Sequence, residues 1–166
     1  KWMHEDIKPE QSDKVKHICE QLFGYEFMQK MFSVDFKKHI EVLKAFTELI
    51  TSQPHNLKDT LDVIIKWSCI KLVESSNTSF AVGVFDFYQG LFDFLVEDSY
   101  QLLDTEATIL IPMLCDKSER SGICMGPRPP CLRSFFVYSM WVKWESIEQP
   151  MSWVLTFLNS SALSLN

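Results

Sequence analysis

The sequence has few of the residue patterns that mark an enzyme. Its five glycines form no phosphate-binding loop, because the stretch from Gly122 to Gly126 lacks the Lys-Ser/Thr pair that reaches a nucleotide. No serine lies in a G-x-S-x-G elbow, and the four histidines lack the spacing to one another or to cysteine that a metal site needs. These absences predict a protein that is not an enzyme and holds no cofactor or metal. We interpret His17, His39 and His55 as solvated surface residues.

Cysteine pairs and long apolar runs are also missing. The five cysteines are odd in number and no two form a C-x-x-C pair, so we expect reduced thiols, with Cys19 and Cys69 as small buried residues. No run approaches ~18 uninterrupted apolar residues, which predicts no membrane span. The chain begins with Lys1 and carries no apolar leader, and we interpret it as a piece of a larger protein.

Basic residues are absent from a long central stretch. Between residues 72 and 116 there is no Lys or Arg, although eight acidic residues occur there. The formal net charge of −6 argues against nucleic acid and against an acidic membrane surface as partners. Cations cluster instead in Lys37, Lys38 and His39, directly after Phe36. Two interpretations stay open: Phe36 is the first core residue of a helix beside solvated lysines, or this group contacts an acidic protein partner.

Apolar residues return every three or four positions from residue 12 to residue 117, which is the spacing of amphipathic helices. The pattern predicts helices at residues 12–23, 25–32, 35–50, 56–73, 77–97 and 104–117. Asp35 is the predicted N-cap of the third helix, either Asn77 or Thr78 is that of the fifth, and Gly24 is the predicted stop of the first. The segment 80–95 is rich in Phe and Val like a strand, but its length and apolar spacing favour a helix.

Helices joined by short polar turns at a period of roughly 40 residues predict an all-α protein, an α-solenoid of HEAT-like antiparallel helix pairs. The segments 25–32 and 35–50 form one pair and 56–73 and 77–97 a second, and the unpaired 104–117 brings the total to about two and a half repeats. We expect this last helix to leave an apolar face without a partner, namely Ile109, Ile111 and Leu114.

The character of the chain changes after residue 120. Proline, glycine and tryptophan interrupt any period between residues 121 and 166, so this segment is expected to be an irregular C-terminal tail. Within it, residues 135–144 fit a strand or a short helix, and residues 153–165 fit a weak helix. We interpret the tail as a read-through, alternatively spliced or frameshifted end that is not native to the fold. An intact exon for it in close relatives would contradict this interpretation.

Four segments carry a resemblance to a known family. They are Lys1-Trp2, MFSVDFKKHIEVLKAF at residues 31–46, LDVIIKWSCIKLVESSNTSF at residues 61–80 and EDSYQLLDTEATILIPML at residues 97–114. Residues 1–120 resemble the first half of a TOG domain, the tubulin-binding HEAT-repeat module of the ch-TOG/Mini spindles microtubule polymerases, and are most similar to the late domains of their arrays. The resemblance implies a flat paddle whose intra-repeat turns contact tubulin, without catalysis by the module.

The resemblance also implies which residues contact tubulin. The first turn would supply Phe36, Lys37, Lys38 and His39, with Phe36 where early TOG domains usually place a tryptophan. The second turn would supply the residues of its polar run, Asn77, Thr78 and Ser79, and the third would supply Lys117. Gly83 departs from the family, whose members commonly have a lysine there, and beyond Arg120 the resemblance stops.

The function implied is that of a non-enzymatic tubulin-binding or microtubule-binding module of a microtubule-associated polymerase. Its partners would be αβ-tubulin or the microtubule lattice and the neighbouring TOG domains of the parent chain. It would act in the cytoplasm on the cytoskeleton, including the spindle and centrosome. The alternative, which needs no tubulin, is a generic HEAT or armadillo-like scaffold whose acidic residues suit a basic peptide partner.

Overall fold

The computed structural model describes residues 8–120, which form six helices and no strand. They are α1 (Pro9–Phe23), α2 (Tyr25–Met31), α3 (Phe36–Ser52), α4 (Pro54–Glu74), α5 (Thr78–Glu97) and α6 (Asp104–Arg120). The all-helical prediction is confirmed. Two helices begin earlier than predicted, α1 at Pro9 and α4 at Pro54, because proline is well suited to the first position of a helix. The predictions for Lys1-Trp2 and for residues 121–166 lie outside the described residues.

The helix boundaries follow from local chemistry. The Asp35 carboxylate accepts a hydrogen bond from the Lys37 amide at 3.0 Å, and the Asn77 side-chain oxygen accepts one from the Phe80 amide at 3.0 Å. Both residues are therefore N-caps, Asp35 as predicted and Asn77 as one of the two predicted candidates. Gly24 separates α1 from α2 with a φ of 83°, a backbone conformation that favours glycine.

The helices stack in two layers. In one layer, α4 packs between α1 and α6; in the other, α3 packs along α5. The first hairpin turns from α2 into α3, and the second turns from α4 into α5. The short α2 contacts α1 and α3. This arrangement is the α-solenoid that the sequence predicted.

Aromatic side chains fill the space between the two layers. The Phe46 ring lies 5.5 Å from Phe23, 5.7 Å from Trp67 and 6.2 Å from Phe87, measured between ring centroids. Cys19 and Cys69 are fully buried here as predicted, and burial raises the pKa of the Cys19 thiol to about 12. The core therefore links α1 and α3 to both helices of the second hairpin.

The Phe-rich segment is a helix, α5, as the spacing predicted. By length and hydropathy alone it is the one described helix that could cross a membrane, a property shared by core helices of soluble proteins. In this structure its apolar side chains pack against α3 and the rest of the core, including the fully buried Phe80, Tyr88 and Leu91.

The expectation of an unpartnered apolar face on α6 is wrong. Ile109, Ile111 and Leu114 are 6%, 6% and 3% exposed. Ile109 and Ile111 point in directions about 200° apart around the helix, so their joint burial means that α6 is covered on opposite sides. The packing of α6 on α4 covers one of these sides.

We predict that Gly90→Ala raises the free energy of unfolding. An added Cβ would lie 3.9 Å from the Ile50 Cδ1 atom, an ordinary contact, so the gain in helix propensity of about 0.5–1 kcal/mol is retained. At Gly83 the added Cβ would lie 3.3 Å from the Leu43 Cδ1 atom, so part of that gain is spent on moving Leu43. Urea denaturation of both variants measures the difference, and a destabilised Gly90→Ala would contradict this packing.

Candidate functional site

Two turns lie side by side on one edge of the solenoid. The first turn is residues 32–35, between α2 and α3; the second turn is residues 75–77, between α4 and α5. The His39 ring, just after the first turn, lies 5.4 Å from the ring of Phe80, just after the second. The exposed residues of the two turns, together with those at the helix starts that follow them, therefore lie on one surface, which we call the turn edge.

The first turn is held from the second hairpin. The Trp67 indole N–H of α4 donates a hydrogen bond to the Met31 carbonyl at 2.8 Å. The Lys71 ammonium, also on α4, lies 4.9 Å from the centre of the Phe32 ring and 2.7 Å from a Glu74 carboxylate oxygen. The position of the first turn therefore depends on α4 as well as on its own helices.

The tip of the first turn exposes apolar and basic side chains together. Lys37 and Lys38 are exposed, and Phe36 is half-buried. Neither interpretation of Phe36 is therefore complete, because its ring contributes to the protein interior and to the surface. Val34 stands fully in solvent, at 104% relative exposure.

Val34 is the residue of this turn that the sequence analysis missed. It directly precedes the N-cap Asp35, a position where an apolar residue often packs onto the fifth residue after it in a hydrophobic staple. That residue is His39, which is polar, and Val34 remains exposed. An apolar residue before an N-cap without an apolar partner in the first turn is the signal that could have identified it.

The second turn offers hydroxyl groups. Ser76, Thr78 and Ser79 are exposed, whereas Asn77 is half-buried and its side chain caps α5. The Asn77 amide N–H donates to the Ser75 hydroxyl oxygen at 3.1 Å. Asn77 therefore shapes the turn, while Thr78 and Ser79 are free to reach a neighbouring molecule's surface.

Lys117 lies near the same edge. Glu106, in the first turn of α6, lies near Asp62 and Lys66 in the middle of α4, and Tyr100, which precedes α6, lies near Asp59. The start of α6 therefore lies beside the middle of α4, and the two helices run in the same direction. Since α4 and α6 pack together in the same direction, Lys117 is level with the end of α4, which leads into the second turn. Lys117 is half-buried.

The buried carboxyl group of Glu106 fixes the start of α6. It accepts a hydrogen bond from the Leu103 amide at 2.8 Å, which satisfies a free N–H of the helix N-terminus. Burial raises the pKa of Glu106 above its usual range, and the Leu103 hydrogen bond opposes that shift. Its contact with the neighbouring Tyr100 hydroxyl, at 3.5 Å, joins the preceding loop to the helix.

His39 is not a solvated surface residue, which corrects the interpretation from the sequence; His17 and His55 are exposed as expected. The ring of His39 is 5% exposed and its Nε2–H donates to the Ser33 carbonyl at 2.8 Å. Among residues 8–120, its Nδ1 atom has no hydrogen-bond partner. The amphipathic pattern failed here because His39 continues the buried stripe of α3 into the first turn.

Gly83 lies near the start of α5, beside α3. Its missing side chain would point toward Leu43 of α3, in the packing between the two layers. A lysine at this position would have to begin its side chain against α3. The absence of a lysine at position 83 therefore coincides with close packing of α3 against α5.

The pKa of His39 predicts how stability depends on pH. Burial lowers the pKa below its usual value of 6.5, and the nearby Lys71 ammonium lowers it further, while the Ser33 hydrogen bond and the Glu74 and Asp35 carboxylates oppose the shift. A lowered pKa means that the unfolded chain binds more protons, so stability is full above about pH 6.5 and falls as the pH drops through the native value.

The test compares the chain with His39→Gln, which cannot titrate, in urea denaturation between pH 7.5 and pH 5. We expect the original chain to lose more stability on acidification than the variant. The comparison cancels the opposite contribution of Glu106. Parallel losses in the two proteins would contradict the burial of a neutral His39.

Comparison with known proteins gives relatives of one kind. Over 118 residues the chain is 30% identical to Protein MOR1 of Oryza sativa subsp. japonica, covering 71% of this chain and 6% of that protein. It is 27% identical to Protein MOR1 of Arabidopsis thaliana over 68% of this chain and 6% of the relative. It is 26% identical to Protein mini spindles of Drosophila melanogaster over 51% of this chain and 4% of the relative. The chain thus spans about 6% of the MOR1 proteins, and no protein-family model matches it.

A solved structure has the same fold. It comes from work on TOG–tubulin binding specificity in microtubule dynamics and mitotic spindle formation, and the superposition has a TM-score of 0.68 at 19% identity. The alignment covers 86% of this chain and 52% of that one. From these relationships and from the stacked hairpins, the chain is a TOG-type HEAT-repeat domain of the ch-TOG/Mini spindles family.

Proposed function

We propose that this chain is a non-catalytic module that binds αβ-tubulin, free or in the microtubule lattice, through the turn edge. The proposal rests on one observation above all: Val34, on the first turn, and Lys37 and Lys38, at the start of α3 directly after it, are exposed together, and the second hairpin holds the first turn in place. The family relationship supports it, because the solved structure of this fold concerns TOG–tubulin binding.

The relatives indicate the kind of larger protein in which this chain would act. The chain is a small part of proteins such as MOR1 and mini spindles, so it would act within a larger microtubule-associated protein, beside neighbouring TOG domains. Its place would be the cytoplasmic microtubule cytoskeleton, including the spindle and centrosome. Its role in that protein would be to help a microtubule polymerase hold tubulin.

The charges of the turn edge suit an acidic partner such as tubulin. Lys37 and Lys38 form no ion pair with a carboxylate of residues 8–120, whereas Lys66 pairs with Asp62 at 2.6 Å. Unpaired surface cations attract an acidic surface from a distance and speed its association. Lys117, at the end of α6, would extend the basic character along the edge.

Apolar contact would supply the rest of the affinity. Val34 is fully exposed, and complete burial of a valine side chain contributes about 1.5 kcal/mol or more. The half-buried Phe36 ring adds area beside it, and the Thr78 and Ser79 hydroxyls of the second turn can donate hydrogen bonds. His39 would act from beneath this surface, because its ring is buried.

A scaffold for a basic partner is the second candidate, favoured by the exposed side of α5. Asp86, Asp93 and Glu97 are exposed there, in the stretch that contains no Lys or Arg. A basic peptide would bind along this side rather than at the turn edge. Such a scaffold would ignore tubulin, so a binding assay with purified tubulin separates the two.

We predict that Lys37→Glu with Lys38→Glu lowers tubulin affinity roughly tenfold at low salt. Folding should be intact, because carboxylates are favourable in the first turn of a helix. The matched control is Lys14→Glu with Lys16→Glu, which makes the same charge change at exposed positions of α1, away from the turn edge. Co-sedimentation of tubulin at several salt concentrations measures the effect, and equal losses in both double variants would contradict a local site.

Val34→Ser tests the apolar contact without disturbing the core. Since Val34 is fully exposed, we expect unfolding stability to change by less than about 0.5 kcal/mol and tubulin affinity to fall roughly fivefold. Phe36→Ala should lower both quantities, because its ring is half-buried. Unchanged tubulin binding by Val34→Ser would remove Val34 from the site.

A further inference from the structure

We infer that His39 and Trp67 are positioning residues that hold the first turn in its binding conformation from below. The inference rests on the proposed function of the turn edge. Neither residue needs to touch a partner, since both are almost fully buried. They act on the backbone of the turn, and through it on Val34 and the basic residues.

The geometry of the two hydrogen bonds carries this inference. Trp67 donates to the Met31 carbonyl at 2.8 Å and His39 donates to the Ser33 carbonyl at 2.8 Å. These carbonyls lie on either side of Phe32, where α2 ends and the chain reverses. The Met31 carbonyl is the last of α2 and has no partner within the helix, and the Ser33 carbonyl belongs to the turn beyond it. Each donor therefore satisfies a group that would otherwise need water.

The two donors also form one packed unit. The rings of His39 and Trp67 meet edge to face at 6.2 Å, and each lies against the Phe80 ring at the start of α5. Phe80 follows the N-cap residue of the second turn, so a shift of either turn would displace the other. The unit therefore sets the spacing between Val34 on the first turn and Thr78 on the second.

Burial and the Lys71 ammonium favour the neutral form of His39, whereas the carboxylates of Glu74 and Asp35 favour the protonated form. Lys71 approaches from α4, together with Glu74, and Asp35 lies on the first turn itself. A neutral ring that donates from Nε2 leaves Nδ1 without a proton, which matches the absence of an acceptor near Nδ1 among residues 8–120. The donor to Ser33 is therefore fixed in one tautomer, as a positioning residue requires.

The test compares three variants that differ in one buried hydrogen bond. His39→Leu removes the donor to the first turn, and His39→Gln supplies another donor from its side-chain amide. Tyr88→Phe is the matched control, since it removes a buried hydrogen bond to the Ser68 hydroxyl, 2.5 Å away, that does not involve either turn.

Amide hydrogen exchange of the free chain gives the first readout. We expect His39→Leu to accelerate exchange in residues 32–38 roughly fivefold, the equivalent of one net hydrogen bond. His39→Gln should reverse most of this acceleration, and Tyr88→Phe should leave the segment unchanged. Equal exchange in His39→Leu and the original chain would overturn the inference without involving tubulin.

Tubulin affinity at neutral pH gives the second readout. His39→Leu should bind roughly fivefold more weakly, His39→Gln should recover most of that loss, and Tyr88→Phe should lose stability but not affinity. Equal losses in His39→Leu and Tyr88→Phe would show a general stability effect and overturn the inference. Failure of the original chain to bind tubulin would instead reject the proposed function, while the exchange result would still decide the role of His39.

If His39→Leu does not fold, Trp67→Phe takes its place in both readouts. This variant keeps an aromatic ring in the core and removes the donor to Met31 together with part of the buried indole volume. The expected results are the same loss of turn protection and of affinity, and their absence would overturn the inference.

Discussion

The hydrogen bond from the Trp67 indole to the Met31 carbonyl is the contact on which the geometry of the turn edge depends. A buried indole N–H needs an acceptor, and Trp67 finds its acceptor at the end of α2, across the boundary between two hairpins. The bond joins the layer of α4 to the turn that begins α3. Because Phe46 and Phe80 pack against the same ring, this one contact relates the core to both exposed turns.

This linkage explains why a repeat protein can present a precise surface with short turns. Stacked hairpins contact only their neighbours, so the geometry of one edge depends on the contacts between successive repeats. Here the contacts lie directly beneath the turns, through His39, Trp67 and Lys71. At the opposite end of α4, Lys58 pairs with Asp98 at 2.7 Å and joins the two helices of the second hairpin. A tubulin-binding edge of this kind would be ordered before its partner arrives.

Much of the fold could be predicted from the sequence, because helices depend on local signals. Asp35, Asn77 and Gly24 each act within one turn of their own position, and the apolar period identified α5 despite its strand-like composition. The buried contacts of His39 and the covered faces of α6 could not be predicted, since they depend on which helix packs where. A histidine that follows two lysines is expected at the surface, and only the packing of Trp67 from α4 and Phe80 from α5 against its ring buries it.

Some residues of the candidate site could likewise be predicted from the sequence, and others could not. Lys37 and Lys38 could be identified from charge and position, and Thr78 and Ser79 from their place beside a cap. Val34 was missed because an apolar residue before an N-cap usually packs against its own helix, although the polar His39 five residues later signals that this contact is not made. Phe36 is both a surface and a core residue, which a choice between the two interpretations could not describe.

Photo-crosslinking tests the central claim most directly. A photoreactive amino acid is placed at position 34 or 78 on the turn edge, or at the exposed position 48 in the middle of α3 as a reference. If the turn edge binds αβ-tubulin, light will join tubulin to the chain from positions 34 and 78 and not from position 48. Capture from position 48 alone, by a chain that binds tubulin, would show that another surface makes the contact.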